Sequence, residues 1–127
     1  MDDIGRIYSE HILTVGLGKG KGDYHYKIFC SLVLDQKLRL LQNSRIDFLV
    51  LETNEKDPAC FFVQSGRKDN SFRLEAAINA DGRSMLYGTD TTDFEAVRSV
   101  FTAYLNENAV PDISGWEFVG EFRPPDK

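Results

Sequence analysis

The chain reads as an α+β domain: a single curved antiparallel sheet of six to seven strands, with one main helix at about residues 92–107 packed on one face. Three observations predict this. Phe94, Val97, Phe101, Tyr104 and Leu105 recur at three- and four-residue steps, which gives a helix one apolar face that must cover something. Phe72, Leu74, Ala76 and Ile78 alternate with Arg73, Glu75, Ala77 and Asn79, the pattern of a strand half in water. Shorter strand-like runs fill much of the remaining chain between turn-forming residues, so hairpins dominate and parallel crossovers are not expected except around the helix.

In chain order, His11 to Leu17 and Tyr24 to Leu34 read as strands joined by the glycine-rich tip Gly18-Lys19-Gly20-Lys21-Gly22-Asp23. Residues 35–42 fit two periods. Leu38 and Leu40 alternate, whereas Leu34, Leu38 and Leu41 suit a helical turn; strand is favoured. Ile46 to Glu52 is apolar on both faces, as in a central strand. Thr53 to Pro58 reads as a turn, Cys60 to Gln64 as a short strand and Ser65 to Asn70 as a second turn. Asn79-Ala80-Asp81-Gly82 closes a hairpin in which Gly82 supplies positive φ, and Arg83 to Tyr87 returns antiparallel. Thr92 and Glu95 have capping-box spacing at the helix start, and Pro111 lies beyond its end. Trp116 to Phe122 forms the last strand, with Trp116, Phe118 and Phe122 on one face and Glu117 and Glu121 on the other; 123–127 is a frayed tail.

A length of 127 residues suits one domain that buries roughly two-thirds of its unfolded surface. No run of ~18 apolar residues exists to span a membrane. The start, Met1-Asp2-Asp3-Ile4, lacks the basic and apolar regions of a secretory signal, so a cytoplasmic location is expected. Cys30 and Cys60 sit in apolar runs without metal-ligand spacing, and free buried thiols are expected. Net charge is −5 and unevenly spread. Residues 1–45 hold seven Lys/Arg against five Asp/Glu, while residues 46–127 hold eight against fifteen. An acidic half-chain repels nucleic-acid phosphates and attracts basic proteins, so neither a nucleic acid nor a membrane is expected as partner.

No catalytic, cofactor or metal motif is evident. The run Gly16 to Gly22 fails P-loop spacing, because Gly22 follows Lys21 where a hydroxyl is needed, and it leads into a strand rather than a helix. Hairpin pairing could set His11 opposite Cys30 as a nucleophile pair, but nothing in the sequence orients the imidazole. A carboxylate-pair hydrolase would draw on Glu52, Glu55, Asp57, Asp90, Asp93, Glu117 or Glu121, most of which have simpler duties in capping or solvation. Asp90 and Asp93 do not have calcium-loop spacing. The more informative pattern is a surface one. If the turn at Asp90 to Glu95 lies beside the last strand, then Asp90, Asp93, Glu117 and Glu121 form one negative patch, supported by Tyr87, Arg67 and Arg73 as embedded anchors.

The hairpin around Asn79 to Gly82, the helix Phe94 to Leu105, the Pro111 loop and the closing strand Trp116-Glu117-Phe118 resemble in layout the small immunity proteins of bacterial toxin–immunity systems. That group includes those of contact-dependent growth inhibition. The likeness covers roughly residues 45–122 and carries over no catalytic residue. It implies a non-enzymatic role: masking the active site of a cognate toxin domain, often a basic nuclease. Two alternatives from other classes are a small enzyme or ligand-binding domain with a pocket between sheet and helix, and a secretion chaperone.

Overall fold

The computed structural model describes residues 7–8, 10–18, 22–27 and 29–122. Lys19 and Lys21 of the glycine-rich tip, and the expected tail 123–127, lie outside the described residues. The described elements run β1 (Ile7–Tyr8), β2 (His11–Gly16), β3 (Asp23–Tyr26), β4 (Phe29–Cys30), α1 (Ser31–Gln42), β5 (Phe48–Thr53), β6 (Cys60–Lys68), β7 (Ser71–Ala80), β8 (Arg83–Thr91), α2 (Phe94–Glu107) and β9 (Glu117–Phe122). Seven strands form one antiparallel sheet in the order β3-β2-β5-β6-β7-β8-β9, and β1 pairs with β4 in a separate ribbon. The architecture is α+β, as the sequence predicts.

Both helices pack on one face of this sheet. Leu13, Val15, Leu49, Leu51, Val63, Leu74 and Ala76 point from it into a core completed by Leu34, Leu38 and Leu41 of α1 and by Val97, Phe101, Tyr104 and Leu105 of α2. Each such large side chain contributes roughly 1.5–3 kcal/mol by leaving water.

Helix α1 corrects the expected strands at 24–34 and 35–42. The chain leaves β3 at Tyr26, forms the two-residue β4 and turns helical at Ser31. Burial of Leu34, Leu38 and Leu41 at helical spacing outweighs the two-residue alternation, which does not deliver a comparable buried face. The helix start carries no signal of its own. Cys30 is the N-cap without a side-chain hydrogen bond, and no acid lies in the first turn.

Helix α2 is capped by Asp93 rather than Thr92. Asp93 Oδ1 accepts from the Glu95 N–H at 3.0 Å, and Thr91 Oγ1 accepts from the Asp93 N–H. A carboxylate one residue later is the stronger acceptor for this electropositive end. At the other end Asn108 takes φ 50, and the Asn108 and Ala109 N–H groups return to Tyr104 and Ala103 carbonyls.

The β7–β8 hairpin has the expected turn, with Asp81 at φ 55 and Gly82 at φ 84, the two positive values that match strand twist. Residues 65–68, expected in a turn, instead continue β6, and only Asp69-Asn70 connect it to β7. Pairing of Ser65 between Leu49 and Leu74 overrides the polar composition of this stretch.

A bulge in β6 leaves Phe61 without a cross-strand partner, since Cys60 pairs with Ile78 and Phe62 with Ala77. Tyr104, fully buried, places its hydroxyl 2.9 Å from the Cys60 carbonyl oxygen and 3.0 Å from that of Phe61. Burial raises the pKa of this phenol well above its ordinary value, so it remains a donor. Tyr104→Phe should therefore cost about 1–3 kcal/mol in urea unfolding with an unchanged m-value, because the bulge carbonyls lose their shared donor.

Between the helices, Asp35 of α1 accepts from Arg98 Nε of α2 at 3.0 Å and from Arg39 Nε at 3.2 Å. Partial burial opposes ionisation of Asp35, but the hydrogen bonds and charges of Arg39 and Arg98 outweigh it and hold the carboxyl below its ordinary 3.8. A depressed folded pKa gives stability that is present above the unfolded value and lost as pH falls through the folded one. The stability difference between wild type and Asp35→Asn should thus be constant above about pH 5 and shrink toward acid, as read by urea melts across pH.

Candidate functional site

The face of the sheet away from the helices holds the most organised polar cluster outside the core. Cross-strand register sets it out in rows. Gly16, Phe48, Gly66, Arg73 and Asp90 form one row across β2, β5, β6, β7 and β8. Thr14, Val50, Gln64, Glu75, Gly88 and Glu117 form the next, reaching β9. Because paired residues share a face, β7 is the strand that turns Arg73 and Glu75 outward while Leu74 and Ala76 enter the core.

Arg73 is the hub. Its Nε donates to Glu75 Oε2 at 3.1 Å, its Nη1 to Asp90 Oδ1 at 3.4 Å and its Nη2 to Glu117 Oε1 at 2.8 Å. Gln64 Nε2 donates to the other Glu75 oxygen at 2.7 Å. Partial burial disfavours the guanidinium charge, but the bonds to Glu117, Glu75 and Asp90 prevail and raise its pKa. The side chain reaches β9 by crossing Gly88. A Cβ there would lie 2.6 Å from Arg73 Nη2 and 2.9 Å from Glu75 Cγ, so only glycine permits the crossing. Three carboxylates share one guanidinium, which leaves a surplus of two negative charges.

The expected single patch divides in two. Arg73, Asp90 and Glu117 come together on the helix-free face, as just described. Glu121 does not join them. Gly120 pairs with Leu86 and Phe118 with Tyr87, so Val119 is an extra residue that shifts the parity of β9. Glu121 consequently shares the other face with Met85 and pairs with Arg83. This corrects the expectation that Glu117 and Glu121 lie on one face.

Tyr87 is on that second face too, its ring 5.5 Å from that of Phe118. Arg67 lies there as well, 5.1 Å from the centre of the Phe72 ring, with its Nε buried and without a hydrogen-bond partner. Asp93 is occupied in capping α2. Glu75, Gln64 and Gly88 were not singled out by sequence. The alternation of β7 already set Glu75 beside Arg73, but Gly88 and Gln64 join only through strand order.

The pairing that a Cys–His nucleophile would need is not formed. His11 pairs with Thr53, whereas Cys30 pairs with Ile7 in the separate ribbon. Both cysteines are free; Cys60 is buried and Cys30 half-buried. Burial pushes the Cys60 thiol up to about 12, far from the range of a reactive thiolate. His11 is buried in the core-facing end of β2, and its Nε2 lies 2.7 Å from Asn108 Oδ1. Asn108 Nδ2 in turn donates to Glu55 Oε2 at 2.8 Å. His25 is exposed on β3, with Nδ1 2.9 Å from Thr14 Oγ1. Among the described residues no group of three or more His, Cys, Asp or Glu is arranged to hold a metal. Among the described residues no helix is long and apolar enough to cross a membrane.

Comparison with protein-family models, with curated proteins and with solved structures found no match to this chain.

The cluster makes a testable claim about Arg73. Replacing it by methionine keeps the apolar stem but leaves Glu75, Asp90 and Glu117 to repel one another. Arg73→Met should lower stability by about 1–3 kcal/mol at low ionic strength, and 1 M salt should recover part of that loss in a parallel denaturant titration.

Proposed function

We propose that this chain is an immunity protein: a non-enzymatic inhibitor that binds a basic toxin domain, such as a nuclease, through the helix-free face of its sheet. The observation that carries this reading is the charge of that face. By register it bears Asp23, Glu52, Glu75, Asp90 and Glu117 against Lys68 and Arg73, a balance of −3. Carboxylates held in place by Arg73 and Gln64 form such a surface with little further loss of side-chain freedom on binding. A basic catalytic cleft pressed against them would be screened from its anionic substrate, and the opposite charges would speed encounter.

The layout that resembles immunity proteins, and the acidic second half of the chain, support the same reading. Glu52, Glu75, Asp90 and Glu117 take the role first assigned to Asp90, Asp93, Glu117 and Glu121. Isothermal titration against the product of the gene immediately upstream tests it. A Kd of about 10 nM or tighter, weakening steeply with added salt, is the expected result. A Kd weaker than about 1 μM, or no heat of binding, overturns the proposal.

A further inference from the structure

Between Phe48 and Arg73 the helix-free face is not flat. Phe48 has a glycine on each side, Gly16 and Gly66. Its ring leans over Gly16 so closely that a Cβ there would lie 2.1 Å from Phe48 Cε2. The position above Gly66 is left without a side chain, and a Cβ built there meets only the Asp47 backbone oxygen, at 3.6 Å. The result is a cleft of about 370 Å³ lined by Phe48, Val50, Gln64, Gly66, Arg73 and Glu75.

We propose that this cleft receives an arginine side chain of the basic partner. The inference builds on the function proposed above, since such an anchor presupposes a basic partner. Its walls match the two halves of an arginine. Phe48 and Val50 offer apolar surface for the methylene stem and an aromatic ring for the guanidinium plane. Glu75 and Arg73 form the wall across from them; the Arg73 charge is already met by Glu75, Asp90 and Glu117, and the two carboxylates in surplus, Asp90 and Glu117, stand behind that wall. An anionic group would meet that surplus, and an apolar one would cover Glu75 and Gln64 without offering them hydrogen bonds. Lysine fits less well, because its compact ammonium holds water more strongly than a guanidinium.

The test uses a blocked pentapeptide of four glycines around one central arginine, titrated into the labelled protein and followed by amide chemical shifts. Saturable shifts at Val50, Gly66 and Glu75, with a Kd on the order of 1 mM, are expected. The same peptide with norleucine at its centre should leave those amides unmoved, and the lysine version should bind more weakly. Gly66→Leu fills the cleft and should abolish the shifts. If that variant does not fold, Glu75→Gln keeps the shape and removes the charge, and should weaken binding at least about fivefold. Equal shifts in the wild type and the folded variant, or with the arginine and norleucine peptides, overturn the proposal. Calorimetry with the upstream gene product separates the two readings. Binding unchanged by Gly66→Leu removes the arginine anchor and leaves the inhibitor reading standing. Peptide binding without toxin binding does the reverse.

Discussion

Both helices cover the same face of the sheet, and the rest of the molecule answers to that asymmetry. Leu13, Val15, Leu49, Leu51, Val63 and Leu74 stand at inward positions of β2, β5, β6 and β7, where α1 and α2 take them out of water. The outward positions receive no such cover and need side chains that remain solvated or satisfy one another. Arg73, Glu75, Gln64, Asp90 and Glu117 meet this need as a bonded group. Four strands are tied together by one guanidinium and one amide, on a face that no helix covers. Such half-exposed pairs gain less than a core residue does, and the gain falls with salt. Their larger effect is to fix where the charges stand.

Two bulges show how a single inserted residue redistributes function between faces. In β6 the extra Phe61 interrupts the ladder, and α2 supplies a donor to the Cys60 and Phe61 carbonyls through Tyr104. The helix is thereby locked to the sheet by a polar contact inside an otherwise apolar layer. In β9, an edge strand among the described residues, the extra Val119 is exposed. Its effect is on side-chain direction. Glu117 is delivered to Arg73 on one face, and Glu121 to Arg83 on the other. Two acids four residues apart thus serve separate ion pairs.

What could be read in advance follows from this physics. Helix α2 and strand β7 each have one buried and one wet face, so their periods are written plainly in the residues. Helix α1 is different. Leu32, Val33 and Leu40 add apolar residues outside the Leu34, Leu38 and Leu41 stripe, and Cys30 gives no capping signal, so the helical period is blurred. The β9 bulge leaves no comparable trace in composition, and strict alternation therefore misplaced Glu121. Of the proposed site, Arg73, Asp90 and Glu117 were legible as charged residues in the right region. Their convergence was not, because it depends on β7, β8 and β9 being neighbours in a register that sets Arg73 opposite Asp90 and Gly88 opposite Glu117. Gly66 and Gly88 carry meaning only in that register.

The same asymmetry bears on how an inhibitory surface could diverge. Residues on the helix-free face contribute little to the core, so exchanging Glu52, Asp90 or Glu117 changes the outward charge pattern while Leu49, Leu51, Leu74 and Ala76 keep the sheet attached to its helices. Gly16 and Gly88 are the exceptions. Each lies beneath a larger side chain, the Phe48 ring or the Arg73 guanidinium, and a side chain at either would dislodge it. Gly66 has open space above it and is under no comparable steric constraint. The glycine therefore leaves a cleft open between the apolar side chains of Phe48 and Val50 and the Arg73–Glu75 pair, and any side chain placed there would change the shape of this face without disturbing the core.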